Sequence, residues 1–143
     1  MREIEKQLLA HEGMRIKPYR CSAGKLTIGV GRNIEDKGIT EEEALFLLRN
    51  DIAECEADLK TIFPRFDGLD DIRKRVLIDM RFNLGPAGIR NFKNMIDAVN
   101  KGDFNLAALE MKNSKWFRDV PNRSAALCGM MASGVDQVTY AAR

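Results

Sequence analysis

The chain is poor in the residues that usually build metal or disulfide sites. Its 143 residues include one histidine, one tryptophan, two tyrosines and three cysteines. His11 has no second metal-type ligand at helical spacing, so it reads as a packing or surface residue, and no metal is expected. Cys21, Cys55 and Cys128 are odd in number and widely spaced, which gives neither a disulfide framework nor a zinc site. Free thiols suit a reducing compartment. No apolar run is long enough to cross a bilayer. The start is charged, at Arg2, Glu3, Glu5 and Lys6, and no apolar run follows that could make a signal peptide. Synthesis in the cytoplasm, without membrane insertion, is therefore expected. Internal repeats, low-complexity tracts and Pro/Ser-rich linkers are also missing.

Acidic residues are absent from one stretch in particular. Between Gly13 and Arg32 there is no Asp or Glu, while Arg15, Lys17, Arg20, Lys25 and Arg32 fall there or at its end. The following stretch, Glu35 to Asp58, is strongly acidic, and the net charge is only +2. A local basic patch favours an anionic polymer, although a solvated surface of mixed charge has the same appearance. Aromatics are not interleaved with these cations, so nucleic acid is not the expected partner.

What is present is a chain 45% hydrophobic and 31% charged, rich in helix formers. Arg2 to His11 places Ile4, Leu8 and Leu9 on one face and reads as a short helix stopped by Gly13. Lys17 to Asn33 carries the convincing β signal. Tyr19, Leu26, Thr27, Ile28 and Val30 are punctuated by Gly24, Gly29 and Gly31, with a turn at Ser22 to Lys25. Thr40 then opens a long helix, with Glu43 completing a capping box and Pro64 as its stop. Further helices are expected over about Leu69 to Asn83, Asn91 to Asn100, Phe104 to Asn113, Asn122 to Met131 and Val135 to Ala141. The fold class is thus α+β, mainly α. A small hairpin lobe (about 14–60) is joined by the long helix to a helical lobe (about 1–13 and 61–143), and a cleft between lobes is a common ligand site.

Glu12 stands at the junction of the first helix and the hairpin. A carboxyl placed there can face a cleft, but a solvated Glu near a helix end is the ordinary alternative. The surrounding residues resolve the choice through a resemblance. His11-Glu12-Gly13-Met14-Arg15, Tyr19, Gly24 and Thr27-Ile28-Gly29-Val30-Gly31-Arg32 resemble the active-site region of the T-even phage lysozyme family. Phe82-Asn83-Leu84-Gly85 and Ser114-Lys115-Trp116-Phe117, followed by Pro121-Asn122-Arg123, resemble later blocks of that family in the same order. The segment between hairpin and long helix is shortened here, so a trimmed smaller lobe is expected.

The resemblance implies a lysozyme-like two-lobed fold and a muramidase. Its substrate would be bacterial peptidoglycan, cut at β-1,4 bonds between N-acetylmuramic acid and N-acetylglucosamine for phage-driven host cell lysis. Such a reaction needs a proton at the leaving oxygen, and Glu12 matches the family's acid. Arg123 matches the arginine that supports that carboxylate. The family's second carboxylate is missing: its position is held by Cys21, which can serve only as a thiolate, with Arg20 and Lys25 as candidate stabilising cations. Thr27 matches the threonine that helps to place a water. Asn33, Phe82 and Asn83 match substrate-contact positions, Asn33 through its backbone, whereas Met95 and Glu110 lack the expected hydroxyl and amide. Trp116 reads as a core anchor, and Cys55 and Cys128 as structural. No cofactor is implied. A monomer is expected, released from the host cytoplasm by a separate membrane-permeabilising protein. Without the second carboxylate, a lytic transglycosylase or a peptidoglycan-binding module are the competing readings.

Overall fold

The computed structural model describes residues 1–140. Its contacts group the chain into two compact units, Met1–Leu47 and Leu48–Arg143. The boundary falls inside the long helix, and the first helix groups with the hairpin. The sequence had suggested a boundary near residue 60, with residues 1–13 joining the helical part.

The first unit opens with α1 (Glu3–Glu12). The Glu5 carboxylate accepts the Arg2 backbone N–H, which satisfies a donor that the first turn leaves open. Gly13 ends the helix at φ 72°, and its N–H reaches Leu9 O at 2.9 Å. The chain then forms a three-stranded antiparallel sheet in the order β1 (Arg15–Arg20), β2 (Leu26–Gly29), β3 (Arg32–Asn33). Tyr19 pairs with Thr27, and Thr27 in turn pairs with Asn33. The third strand was not foreseen, because two residues carry no periodicity. Between Arg15 and Tyr19 the register shifts, at the place where Pro18 can donate no ladder bond. The β1–β2 turn closes with Gly24 N–H to Cys21 O at 2.8 Å and Cys21 N–H to Lys25 O at 3.0 Å. Gly24, at φ 79°, takes the left-handed position that such a turn demands.

From β3 a short connection, Ile34 to Thr40, leads to α2 (Glu41–Ile62). The capping box forms as the sequence implies: Glu43 N–H donates to Thr40 Oγ1 at 3.1 Å, and Thr40 N–H to Glu43 Oε1 at 3.0 Å. Arg32 adds a fork to the same carboxylate, at 3.1 Å and 3.0 Å. That guanidinium, with the Thr40 N–H, holds the Glu43 carboxyl down at about 2.

The second unit is helical: α3 (Asp71–Arg90), α4 (Lys93–Asn100), α5 (Phe104–Lys112), α6 (Lys115–Asp119) and α7 (Pro121–Ser133), after a single 3-10 turn at Phe66–Gly68. Leu59, Phe63, Leu77, Met80, Ile89, Met111 and Leu127 form its core, with α5 packed on α4 and α7. Met80, Met95, Met111, Met130 and Met131 are all buried, and their flexible thioethers fill irregular gaps between short helices. Asp70, Asp103 and Ser114 cap their helices through the N–H groups of Arg73, Leu106 and Phe117.

Gly85 breaks α3, as the sequence indicates, at φ 78° and ψ 174°, and a further helical turn starts from Pro86. One element was missed and one expectation fails. The short helix α6 was not foreseen, and Val135 to Tyr140 are not helical; Ala141 lies outside the described residues. Gly134 ends α7 in the left-handed region, and Asp136 then ties the chain down by accepting from Val138 N–H, Tyr140 OH and Arg75. Those bonds hold a backbone path that an α-helix would not share.

Leu77 has no exposed surface. Leu77→Ala is expected to cost roughly 2–5 kcal/mol by leaving a cavity, against about 1 kcal/mol for Thr40→Ala, which removes a cap. Urea unfolding of both variants checks the order.

Candidate active site

In the first unit, the Glu12 carboxylate lies against the β2–β3 turn. A Cβ built on Gly31 would stand 2.8 Å from Glu12 Oε2 and 3.0 Å from its Cδ. Gly31 is also at φ 64°, where side chains are strained. A glycine here therefore serves both the turn and the carboxylate above it. Among the described residues no ion pair or hydrogen bond engages the Glu12 carboxylate.

Cys21 closes the other end of β2, in the hairpin turn, and is a half-buried free thiol. Its pKa is lowered, chiefly by the Lys25 backbone N–H, then by the Ala23 N–H, with the Thr27 hydroxyl adding to them. The proposed helpers Arg20 and Lys25 act elsewhere. Arg20 binds Gly24 O at 2.9 Å and Glu35 at 3.3 Å, and Lys25 binds Glu35 at 3.5 Å and Asp36 at 3.3 Å. Backbone dipoles rather than side-chain cations thus favour the thiolate. Glu35 and Asp36 were not recognised beforehand; they lie in an acidic run that looks like ordinary solvated surface.

Thr27 sits on the central strand, 3% exposed, and donates to Lys25 O at 2.8 Å. Asn33, opposite it, has its side chain tied to Asp36: its amide nitrogen donates to Asp36 Oδ2 at 3.1 Å, and its Oδ1 accepts the Asp36 N–H at 3.0 Å. Its backbone C=O accepts the Lys37 N–H at 3.1 Å. Glu12, Cys21, Thr27 and Asn33 therefore all belong to the first unit.

Phe82, Asn83 and Arg123 belong to the second unit. Phe82 is 45% exposed and shares a shallow hollow with Ile52, Ile78, Asp79 and Arg123. Asn83 lines a different hollow, with Leu84, Phe92 and Trp116, and its Oδ1 accepts Trp116 Nε1–H at 2.9 Å. Trp116 is buried and meets Phe92 edge-on, as a core anchor should. Arg123 pairs through Nε with Asp79 Oδ1 at 2.6 Å. Asp79 was overlooked because it lies far from Arg123 along the chain.

Cys55 and Cys128 are buried, and burial pushes both thiols up, Cys128 to about 11. Among the described residues no group of three or more His, Cys, Asp or Glu could hold a metal ion.

The profile of the phage lysozyme family matches residues 9–131. Among curated proteins, "Probable T4-type lysozyme 1" of Dictyostelium discoideum is 26% identical over 160 residues, covering 92% of this chain and 94% of that protein. The endolysin of Acyrthosiphon pisum secondary endosymbiont phage 1 is 36% identical over 110 residues, 73% of each chain. The pre-baseplate central spike protein Gp5 of Enterobacteria phage T4 is 25% identical, over 92% of this chain but 28% of its own length.

The thiols should differ in reactivity. Iodoacetamide is expected to label Cys21 first and at a lower pH than an ordinary cysteine, with Cys55 and Cys128 unlabelled until the protein unfolds. Peptide mass spectrometry across a pH series reads the order directly.

Proposed function

The chain belongs to the phage lysozyme family, and we propose that Glu12 is the general acid with which it cleaves bacterial peptidoglycan. Its activity is that of a muramidase-type glycoside hydrolase acting on the cell wall. The observation that carries the assignment of Glu12 is its carboxylate resting on Gly31, beside the sheet and free of any cation among the described residues of its unit.

The steps follow from the side chains. Glu12 passes its proton to the leaving glycosidic oxygen as the bond to the anomeric carbon breaks, and positive charge grows on that carbon. Cys21, as thiolate, takes a proton from a water that attacks the same carbon, while Thr27 helps to orient that water. The thiol then returns its proton to solvent and Glu12 is reprotonated, so the enzyme ends as it began. The N–H groups around Cys21 support this reading, because they stabilise a sulfur anion without adding a cation that would oppose the charge on the sugar.

Asn33 offers its backbone to the glycan, and Phe82 offers an apolar ring face. Asn83 keeps its amide N–H groups for an acetamido oxygen, since only its Oδ1 is spent on Trp116. By the resemblance, Arg123 would be the supporting cation. A guanidinium has five N–H donors, so its bond to Asp79 leaves others for this work. In this reading the enzyme is a monomer serving phage lysis from the host cytoplasm. No described helix is long and apolar enough to cross a membrane. The same reading assigns its release to a separate membrane-permeabilising protein.

Glu12→Gln is expected to lower the rate of wall clearing on the order of a hundredfold or more with the circular dichroism spectrum unchanged. Full clearing by that variant would refute the assignment. Among Cys21 replacements, Cys21→Asp should retain most activity and Cys21→Ser and Cys21→Ala little. Equal rates in all three would remove Cys21 from the chemistry. The released glycans should carry reducing ends; 1,6-anhydro ends would replace hydrolysis by transglycosylation.

A further inference from the structure

Asp58, on α2, is a single carboxylate shared by two guanidiniums that flank the break in α3. Its Oδ2 accepts from Arg81 Nε at 2.6 Å and from Arg90 Nη1 at 3.0 Å, and its Oδ1 accepts from Arg90 Nη2 at 2.5 Å. Arg81 is 7% exposed, a burial that arginine tolerates only with a partner. Arg90 also donates to Pro86 O at 2.7 Å, which binds the turn after the break to itself.

The segment between the two arginines begins with Phe82, Asn83, Leu84 and Gly85 and runs on to Ile89. Gly85 changes the chain direction in a conformation with little stiffness of its own. Buried ion pairs add little net stability compared with apolar packing, but a forked guanidinium on a carboxylate is directional. The Arg90 fork and the single Arg81 Nε bond on one acceptor together fix the two ends of the segment they enclose.

We infer that Asp58 is a positioning residue for glycan binding, gripping Arg81 and Arg90 on either side of the Gly85 break and so setting where Phe82 and Asn83 stand. This rests on reading Phe82 and Asn83 as glycan contacts. Asn83 also supplies a probe that is independent of activity. It holds the indole N–H of Trp116, the only tryptophan in the chain, so Trp116 emission senses a shift of the segment.

The test uses Arg90→Gln, Asp58→Asn and Asp58→Glu in the full chain, with emission and steady-state kinetics on soluble peptidoglycan fragments. Arg90 is the exposed end of the clamp, and its replacement leaves the Arg81–Asp58 pair to keep the protein folded. Arg90→Gln should shift the emission and raise KM about threefold or more, with a smaller change in kcat. Asp58→Asn should do both more strongly, and Asp58→Glu should recover part of the loss. Folded Arg90→Gln protein with the parent's emission and KM overturns the inference, as does a loss confined to kcat. A shifted emission with unchanged KM overturns it too. If Phe82→Ala and Asn83→Ala then also leave KM unchanged, the fault lies in their reading as glycan contacts and not in the clamp.

Discussion

The Glu12 carboxylate can lie over the β2–β3 turn only because Gly31 carries no side chain: a Cβ there would crowd three atoms of the glutamate. The nearest of these is the mobile end of a long side chain, so a larger residue at 31 would displace the carboxylate before it disturbed the sheet. Gly31 thus sets the position of the Glu12 carboxylate, and its left-handed backbone sets the turn. Gly13, which ends α1 just past Glu12, directs the chain into β1. Two glycines therefore locate one carboxyl from both sides.

The role proposed for Cys21 poses an electrostatic problem. A reaction that builds positive charge on a sugar is served by a nearby anion, and this chain has no carboxylate in the hairpin to provide one. A thiol can substitute only if its anion is stabilised at ordinary pH. Cations would do this but would also repel the transition state. Here Glu35 and Asp36 occupy Arg20 and Lys25, and the backbone of Lys25 and Ala23 lowers the pKa of the thiol instead. The basic character of the stretch, conspicuous in the sequence, is largely neutralised by its own acidic neighbours.

The second unit supplies rigidity. Its core is built from helices of which three are capped by Asp70, Asp103 and Ser114, and the buried methionines adapt to the gaps between them. Where α3 is broken, at Gly85, packing is supplemented by charge. Arg90 and Arg81 hold the Asp58 carboxyl well below the usual carboxylate range, and Arg81 also approaches the buried Cys55 sulfur. Arg73 does comparable work at the end of α7, donating to Met131 O and Ala132 O while stacking on Phe104.

Much of this molecule is local and was therefore readable in the chain. The Thr40–Glu43 capping box, the stops at Gly13 and Gly85, and the turn around Gly24 depend on residues three or four apart, and backbone sterics act at that range. The ordered blocks around Glu12, Phe82 and Arg123 indicated the family for the same reason: each is contiguous. Charge partners were not readable. Arg20 with Glu35, Arg123 with Asp79, and Asp58 with Arg81 and Arg90 pair across separate elements. The residues from 135 onward followed Asp136 and Arg75 rather than helical periodicity, and contacts grouped α1 with the hairpin where sequence order had placed it with the helices. Local sterics belong to the sequence itself, whereas the pairing of charges is decided by which side chains the folded backbone brings within about 4 Å.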